Sequence, residues 1–286
     1  MNLVSLYLRP ILLSGLLLLS FAGQAEASTP VHIPRATKIT LMDPDTEQTY
    51  PIYIKLPRSY KSSNDKVYPV VYMMDAPYAF QIVSGATRFP MNTNKMDEAI
   101  LVGIGYARGM GGQSSRIRDF TPLKSSLWRK ETGRAAKHLA FIESQVINYM
   151  EKHYRVDPNN RTFMGNSLGG LLGGYILLTK PELFHNYVLG SPSFWFHNGY
   201  IFKLEHELAA KRQTVKARVF IGIGERETAK LDGKYDMVQD AQAFTKRLES
   251  WQPTGLQVKL MVFPEANHET AFPMTAIQGL HWLYGR

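Results

Sequence analysis

The feature that most restricts the fold of this sequence is one serine, Ser167, placed between two glycines where an apolar strand gives way to a helix. Residues 161–178 read RTFMGNSLGGLLGGYILL, so Gly165 and Gly169 lie two residues before and after the serine. A chain that turns this sharply needs small residues at both positions, because larger ones would collide across the turn. The turn lifts the hydroxyl to the carboxyl edge of a sheet, in front of the helix N-terminus. The pattern therefore predicts that Ser167 is a nucleophile; the alternative is a glycine-rich helix that only packs closely on a strand.

Apolar runs typical of buried strands alternate with segments of helical periodicity along the chain. The predicted strands lie at 31–57 (two strands around a turn at 43–45), 68–75, 98–106, 161–165, 186–191, 216–224 and 256–264. The predicted helices lie at 135–154, from 168 onward, and at 199–212, 237–251 and 271–285. This order predicts an α/β fold with a mostly parallel central sheet and helices on both faces. Residues 105–126 form a long glycine-rich irregular segment, which we expect to be a functional loop.

The N-terminus differs from the rest of the chain. It carries one basic residue, Arg9, then a short apolar run, and then Ala25 and Ala27 in the spacing of a secretory cleavage site. We predict a signal peptide over residues 1–27, a single catalytic domain over 28–286, and a periplasmic or secreted mature protein without a stable membrane span. An uncleaved N-terminal anchor is the alternative. The sequence has no cysteine, so the core alone must stabilise the mature domain.

The charge of the chain favours anionic partners. The formal net charge is +9, and residues 108–137 contain eight Lys or Arg side chains against two acidic ones. Such a segment is either a solvated loop and helix start or a positive rim around the site of an anionic substrate. The basic residues lack a recognisable nucleic-acid-binding module, so we predict no nucleic-acid partner.

A nucleophilic serine needs a base that takes its proton, and in this type of hydrolase an acid and then a histidine follow it along the chain. His268 lies in FPEANHETAF, where we expect a loop between the last strand and the last helix, whereas His281 lies inside that helix. We therefore predict that His268 is the base. The acid should follow the strand at 216–224, and Glu227 is our preferred residue. The alternatives are a serine–histidine pair without an acid and three other carboxylates, Glu225, Asp232 and Asp236.

The negative oxygen of a tetrahedral intermediate needs two N–H donors, which form an oxyanion hole. Leu168, the residue after the nucleophile, should supply one donor, and the segment MMDAPYAF at 73–80 should supply the other. Pro77 has no N–H, which leaves Ala76 or Tyr78, and we prefer Ala76. The chain contains neither an H-x-H nor an H-E-x-x-H pattern, so we predict no metal and no cofactor.

Together these motifs resemble the esterase D-like branch of the α/β-hydrolases, which includes siderophore trilactone esterases. The resemblance runs from about residue 36 to the C-terminus and rests on the segments YPVVYMMDAPYAF, RIRDFTP, GNSLGG, SPSFWF, FIGIGERE, MVQDAQAFTKRL and FPEANHET. It implies an α/β-hydrolase fold, with Ser167 as the nucleophile and His268 as the base.

The resemblance also implies that arginines near the site hold an anionic catecholate complex. Arg116 and Arg118 lie in the corresponding segment, RIRDFTP, and are the predicted substrate-binding arginines. Arg118 has a second interpretation, as a structural anchor paired with Asp119 or with backbone carbonyls. We further predict that Trp195, in SPSFWF, contacts the substrate.

The sequence therefore predicts a secreted serine esterase that hydrolyses carboxylic esters through an acyl-enzyme on Ser167. Its small-molecule substrate is a carboxylic ester, for which an anionic siderophore trilactone is the candidate. The rival class is a non-catalytic ligand-binding protein on a hydrolase fold, which the intact serine and histidine pattern disfavours. An acyltransferase or a thioesterase would use the same residues as an esterase. A phosphonate probe that labels serine hydrolases separates the enzyme from the binding protein.

Overall fold

The computed structural model describes residues 28–208, 215–232, 234–251 and 255–286. Residues 33–286 form one compact unit. In the N-terminal unit, residues 1–32, only residues 28–32 are described, and they have no regular secondary structure. The signal peptide predicted for residues 1–27 lies outside the described residues. In the part of the chain that the structure describes, no helix is long and apolar enough to cross a membrane.

The compact unit is built on an eight-stranded sheet with the strand order β1-β2-β4-β3-β5-β6-β7-β8. The strands are β1 (Ala36–Met42), β2 (Thr49–Lys55), β3 (Tyr68–Met73), β4 (Ile100–Ile104), β5 (Val156–Asn166), β6 (Asn186–Gly190), β7 (Ala217–Gly224) and β8 (Leu256–Phe263). β2 is antiparallel to both β1 and β4, and every other neighbouring pair is parallel. The predicted α/β fold with a mostly parallel sheet is confirmed.

Helices cover both faces of the sheet. They are α1 (Ala76–Asn92), α2 (Gly112–Phe120), α3 (Ala135–Phe141), α4 (Asn148–His153), α5 (Leu168–Thr179), α6 (Phe196–Glu207), α7 (Ala229–Asp232), α8 (Met237–Ser250) and α9 (His268–Tyr284). A short 3₁₀ helix (Arg58–Lys61) precedes β3. α1 and α9 pack on one face, and apolar residues of α2 to α6 and of α8 belong to the core on the other face.

The continuous apolar run of β3 shows why these strands lack polar positions. Val70 and Tyr72 belong to the core on the α5 side, whereas Val71 and Met73 belong to the core on the α1 and α9 side. Successive side chains of a strand point to opposite faces of the sheet. A strand covered on both faces therefore needs an apolar residue at every position, as the sequence of β3 has.

Two helices in the first half of the chain were not predicted from the sequence. α1 follows β3 almost directly, and its Pro77 lies in the first turn, where a missing N–H is tolerated. α2 lies within residues 105–126, which the sequence predicted to be irregular. Ile117 and Phe120 are buried there, so α2 has an apolar face despite the glycines and charges around it. The prediction of one long loop was wrong because this face is only a few residues long.

Two later helices differ from the prediction in their details. The helix predicted at 135–154 contains a π-helical segment, Ile142–Ile147, between α3 and α4. α9 begins at His268 rather than at residue 271, so this histidine opens the helix instead of lying in a loop. The earlier start has a local cause: Asn267 and Thr270 form a reciprocal capping box around the first turn.

Candidate active site

The turn between β5 and α5 holds Ser167 in a strained conformation. β5 ends at Asn166 and α5 begins at Leu168, so the serine is the single residue between them. Its φ of 58° and ψ of −117° lie in a region that residues with a side chain rarely adopt. A Cβ added at Gly165 would lie 2.3 Å from the carbonyl oxygen of Gly169, so position 165 must be glycine. The turn inferred from G-x-S-x-G is therefore present, and it presents a half-buried hydroxyl at the carboxyl edge of the sheet.

Backbone and side-chain contacts fix Ser167 against the end of β6. Its N–H donates to the carbonyl of Gly190 at 2.8 Å, and its own carbonyl accepts from the N–H of Ser193 at 3.1 Å. The two hydroxyl oxygens of Ser167 and Ser193 are 3.2 Å apart. Ser193 is buried, so its hydroxyl is a fixed neighbour of the candidate nucleophile. Sequence reasoning did not identify Ser193, although it lies in the SPSFWF segment.

His268 is oriented by a buried carboxylate. Its Nδ1 atom lies 2.6 Å from Oε2 of Glu227. The side chain of Glu227 is 1% exposed, whereas that of His268 is 34% exposed. A carboxylate in this position fixes the orientation and the tautomer of the imidazole ring. The acid preferred from the sequence is thus the one that contacts the predicted base.

The second oxygen of Glu227 is held as firmly as the first. The hydroxyl of Ser191 donates to Oε1 at 2.6 Å, and the N–H of Gly224 donates to the same atom at 2.8 Å. Ser191 is fully buried and follows β6 directly. A buried polar atom needs such partners, because an unpaired one costs free energy. Ser191 was also missed from the sequence, where the only sign was a polar residue directly after a buried strand.

The other candidate acids have different partners. Glu225 is exposed and accepts from the N–H of Glu265. Asp236 caps α8 by accepting from the N–H of Gln239. The side chain of Asp232 lies outside the described residues. The geometry therefore favours Glu227.

The sheet brings the three predicted catalytic residues to one edge. β5, β6, β7 and β8 are consecutive parallel neighbours, so their carboxyl ends meet at that edge. Ser167 follows β5, Glu227 follows β7, and His268 opens the helix after β8. Ser191, which follows β6, joins the two halves, because it bonds Glu227 while its neighbour Gly190 bonds Ser167.

Both predicted oxyanion donors are the first residues of helices. Leu168 opens α5 and Ala76 opens α1, and the first N–H groups of a helix have no acceptor within it. β3 and β5 are parallel neighbours, so the two helix starts lie side by side. The N–H of Tyr78, the alternative donor, is bonded to the carbonyl of Asp75 at 2.9 Å. This contact favours Ala76.

Arg116 does not extend freely into solvent as a rim residue would. Its Nε and Nη2 atoms donate to the two carboxylate oxygens of Asp75 at 2.9 and 3.2 Å, and Nη2 lies 3.4 Å from the carbonyl of Asn166. The hydroxyl of Tyr106 also donates to Asp75, at 2.9 Å. Burial lowers the pKa of Arg116, but the charge of Asp75 and its hydrogen bonds raise it above the ordinary value. Arg116 is therefore a cation held by an internal partner.

Arg118 is buried, with 4% of its surface exposed. Its Nε and Nη2 atoms donate to the carboxylate of Asp119 at 2.7 and 3.0 Å. Nη2 also donates to the hydroxyl of Tyr50 at 2.9 Å. This geometry supports the second interpretation from the sequence, in which Arg118 is a structural anchor, because its guanidinium group is enclosed by protein.

Trp195 belongs to a stack of three aromatic rings. Its ring lies on that of Tyr235 with centroids 4.0 Å apart and planes 6° apart, and Trp128 is parallel to it at 6.3 Å. All three side chains are half-buried. Trp195 is two residues after Ser193, whose hydroxyl lies 3.2 Å from that of Ser167. Tyr235 and Trp128 could not be recognised from sequence, since they come from segments far away along the chain.

The described residues contain no group of three His, Asp or Glu side chains placed to hold a metal ion. What the arrangement around Ser167 can do chemically is to take a proton from a serine, hold a negative oxygen at two N–H groups, and return the proton.

Comparison with known proteins gives relatives over nearly the whole chain. The sequence model of the family described as "Putative esterase" matches residues 44–283. Ferri-bacillibactin esterase BesA of Bacillus subtilis (strain 168) is 29% identical over 262 residues, which cover 86% of this chain and 89% of BesA. Siderophore triacetylfusarinine C esterase of Aspergillus fumigatus is 28% identical over 197 residues, covering 67% of this chain and 66% of that enzyme. The crystal structure of BES protein from Bacillus cereus superposes with a TM-score of 0.80 at 27% identity, covering 91% of this chain and 98% of the other.

Proposed function

This chain belongs to the "Putative esterase" family, and from that premise we propose that it is a secreted serine esterase that hydrolyses carboxylic esters through an acyl-enzyme on Ser167. The observation that carries the proposal is the 2.6 Å contact between His268 Nδ1 and the buried Glu227, at the same sheet edge as the strained Ser167. A carboxylate that orients a half-exposed histidine beside such a serine is the arrangement that nucleophilic catalysis requires.

In the acylation step, the Oγ atom of Ser167 attacks the ester carbonyl while Nε2 of His268 takes the hydroxyl proton. The carbon–oxygen double bond becomes a single bond, and its oxygen carries the negative charge of the tetrahedral intermediate. When the intermediate collapses, His268 gives its proton to the leaving alcohol, and the acyl group stays on Ser167. Glu227 stabilises the imidazolium that exists between these two proton transfers.

In the deacylation step, a water molecule replaces the serine as nucleophile. His268 takes a proton from the water, the oxygen of the water attacks the acyl carbonyl, and the second tetrahedral intermediate collapses. The proton returns to Ser167 Oγ, and a carboxylic acid leaves. In both steps the N–H groups of Leu168 and Ala76 are the proposed donors to the negative oxygen.

For the substrate, we propose an anionic siderophore ester. Two of the relatives are named as siderophore esterases, one acting on ferri-bacillibactin and one on triacetylfusarinine C. The net charge of +9 would favour the approach of an anion. Because Arg116 and Arg118 pair internally, this preference would come from the other basic side chains at 108–137. Trp195 would offer a wall for an aryl group of the substrate.

The proposal also includes a cellular location and a reaction class, and the reaction class has alternatives. A signal peptide over residues 1–27 would place the mature enzyme in the periplasm or outside the cell, where a ferric siderophore first meets it. A non-catalytic binding protein would need neither the strained serine nor the oriented histidine. An acyltransferase or a thioesterase would use the same residues, with another acceptor or another leaving group.

A substrate panel tests the proposal. The mature chain and a Ser167→Ala variant are given short aryl esters, a cyclic trilactone siderophore with and without iron, and a thioester. The proposal predicts hydrolysis of aryl esters and of the trilactone by the unsubstituted chain and none by the variant. Equal activity of both proteins would reject the serine mechanism, and binding of the trilactone without hydrolysis would favour the binding protein.

A further inference from the structure

Lys55 is a buried cation on the face of the sheet that packs against α1 and α9. It is the last residue of β2, and 6% of its surface is exposed. Ile54 belongs to the core on the α5 side, so the alternation of side chains along a strand places Lys55 on the other side. There its Nζ atom donates to the carbonyl of Ser84 in α1 at 2.8 Å. An ammonium group has three N–H donors, and that carbonyl is the only acceptor of Lys55 Nζ among the described residues.

No carboxylate of the described residues balances the charge of Lys55. Neither Lys55 nor its basic neighbours Arg35 and Arg88 takes part in any ion pair found in that part of the chain. Burial, and then the charges of Arg35 and Arg88, lower the pKa of Lys55 to about 8. A buried charge without a partner is costly, so this cluster is suited to an anion from outside the chain.

The basic side chains meet in one narrow pocket. The cations that line it are Arg35, Lys55, Arg58 and Arg88. The pocket lies at the edge of the sheet opposite the candidate active site. Lys55 pairs with Leu101 near the start of β4, whereas Ser167 follows the end of β5, and both strands are parallel to β3. A ligand in this pocket therefore does not compete with an ester at Ser167.

The acidic residue of the pocket wall has other partners. Glu98 is the only carboxylate among the described residues that line the pocket. It accepts from the N–H of Ser59 at 3.0 Å and from Nζ of Lys66 at 3.1 Å. A wider polar groove adjoins the pocket, since Arg58, Asn92 and Glu98 line both. The pocket thus has an excess of positive charge at its buried end and room for a larger molecule outside it.

We propose that this pocket binds an oxyanion of the phosphate class, held by Lys55, Arg35 and Arg88. A doubly charged anion suits a place where several cations converge without a partner. The planar fork of each arginine can pair with two oxygens of such an ion, and Lys55 can supply N–H donors from the buried end. The anion is either free phosphate or a phosphate group on a larger molecule that extends into the adjoining groove. This inference does not depend on the proposed esterase function.

The test is calorimetric titration of the protein with inorganic phosphate near neutral pH, with acetate at the same ionic strength as the control anion. Glycerol phosphate, a phosphate monoester, distinguishes the two sources of the group. The variants are Lys55→Met, which keeps an unbranched buried side chain, and Arg88→Gln, at an exposed position of α1. Arg134→Gln is the matched control, because it removes a charge from an exposed ion pair outside the pocket. Thermal unfolding identifies a variant that fails to fold.

We expect saturable binding of phosphate that weakens about 10- to 100-fold in Lys55→Met, the effect of losing hydrogen bonds from a charged group. The more exposed Arg88→Gln should lose about two- to fivefold, and Arg134→Gln should bind as the unsubstituted protein does. Phosphate should raise the unfolding temperature of the unsubstituted protein but not that of Lys55→Met. Tighter binding of glycerol phosphate than of inorganic phosphate would assign the group to a larger molecule, and the reverse order would assign free phosphate.

Three results would overturn the proposal. The first is the absence of saturable phosphate binding, and the second is equal affinity for acetate. The third is unchanged phosphate affinity in the folded variants, which Arg88→Gln alone can show if Lys55→Met does not fold.

Discussion

Two regions of the molecule contain a buried carboxylate that accepts several hydrogen bonds. One is the carboxyl edge of the sheet with Glu227, and the other is a polar cluster on α2 with Asp119. At the edge, Glu227 is buried and bonded to Ser191 and His268. On α2, Asp119 is buried and bonded to Arg118, and it also accepts from the hydroxyls of two residues, Tyr50 and Ser115. The difference is exposure. His268 has a side chain that is 34% exposed, whereas Arg118 and Asp119 are enclosed.

This difference shows that buried charge alone does not mark a reactive site. Both clusters have a carboxylate whose oxygens accept several hydrogen bonds, as buried charges require. Only the edge combines that carboxylate with a half-exposed base and a backbone in a strained conformation, at Ser167. α2 has ordinary helical geometry, so its cluster stabilises the fold without storing strain. Activity and stability should therefore respond to substitutions in different places.

The largest expected effect is the loss of Ser167, the proposed nucleophile. Ser167→Ala should lower kcat by on the order of 10⁶, because no other group can form the acyl-enzyme. The free energy of unfolding should change little, since the turn and its backbone hydrogen bonds remain. Steady-state hydrolysis of an aryl ester and urea unfolding measure the two quantities. Ser62→Ala, at an exposed serine before β3, is the control. Retention of more than a few per cent of the activity would show that Ser167 is not the nucleophile.

A smaller loss is expected at the acid. Glu227→Gln removes the charge that stabilises the imidazolium and should lower kcat by about 10⁴, less than loss of the serine. His268→Ala, in contrast, should cost nearly as much as Ser167→Ala, because serine and base act as one unit. Glu225→Gln is the matched control, two residues away and exposed. The measurement is kcat of each variant with the same aryl ester. A larger loss in Asp236→Asn than in Glu227→Gln would move the acid to Asp236.

Substitutions in the polar cluster on α2 should change the free energy of unfolding instead of kcat. Arg118→Met leaves the carboxylate of Asp119 buried without its cation, which costs about 3–5 kcal/mol in comparable pairs. Urea unfolding should show this loss, while kcat of the folded enzyme stays near its original value. Arg134→Met breaks an exposed pair with Glu131 and should cost no more than about 1 kcal/mol. A stable Arg118→Met protein that had lost activity only toward anionic esters would restore the substrate-binding interpretation.

The smallest effect concerns acid sensitivity of the same cluster. His138 packs against Tyr50 and is buried, and this burial lowers its pKa despite the opposing charge of Asp119. The unfolded chain therefore binds a proton that the folded chain excludes, so stability is lost as the pH falls below about 6.5, the ordinary histidine value. When the pH is lowered from about 7.5 to about 5.5, the free energy of unfolding should fall by about 1 kcal/mol less in His138→Phe than in the unsubstituted protein. Equal pH dependence in urea unfolding would contradict this assignment.

Much of the fold was predictable because its signals are local. Each buried strand is a continuous apolar run, and the turn at Ser167 requires glycine at position 165. The three candidate catalytic residues lie after β5, β7 and β8, parallel strands whose carboxyl ends meet at one edge. These local rules identified Ser167, His268 and Glu227 as candidates before any three-dimensional information. The start of α9 was misplaced because the capping pair at Asn267 and Thr270 was overlooked.

The remaining features depend on contacts between distant parts of the chain. Arg116 pairs with Asp75, 41 residues away, and Ser191 bonds Glu227 across 36 residues. A positive residue in a loop-like segment is equally compatible with a substrate ligand and with an internal ion pair. Only the packing that brings α2 next to Asp75, the residue before α1, decides between them. The sequence alone therefore could not distinguish the role of Arg116 from that of Arg118.

The most direct test of the account is to identify the atom that becomes covalently modified. The protein is incubated with a fluorophosphonate, and the labelled peptide is mapped by mass spectrometry. The account predicts one phosphonyl group, on Ser167, with labelling much slower in His268→Ala and absent in Ser167→Ala. Modification of a different residue, or continued ester hydrolysis by a protein that the probe does not label, would contradict it.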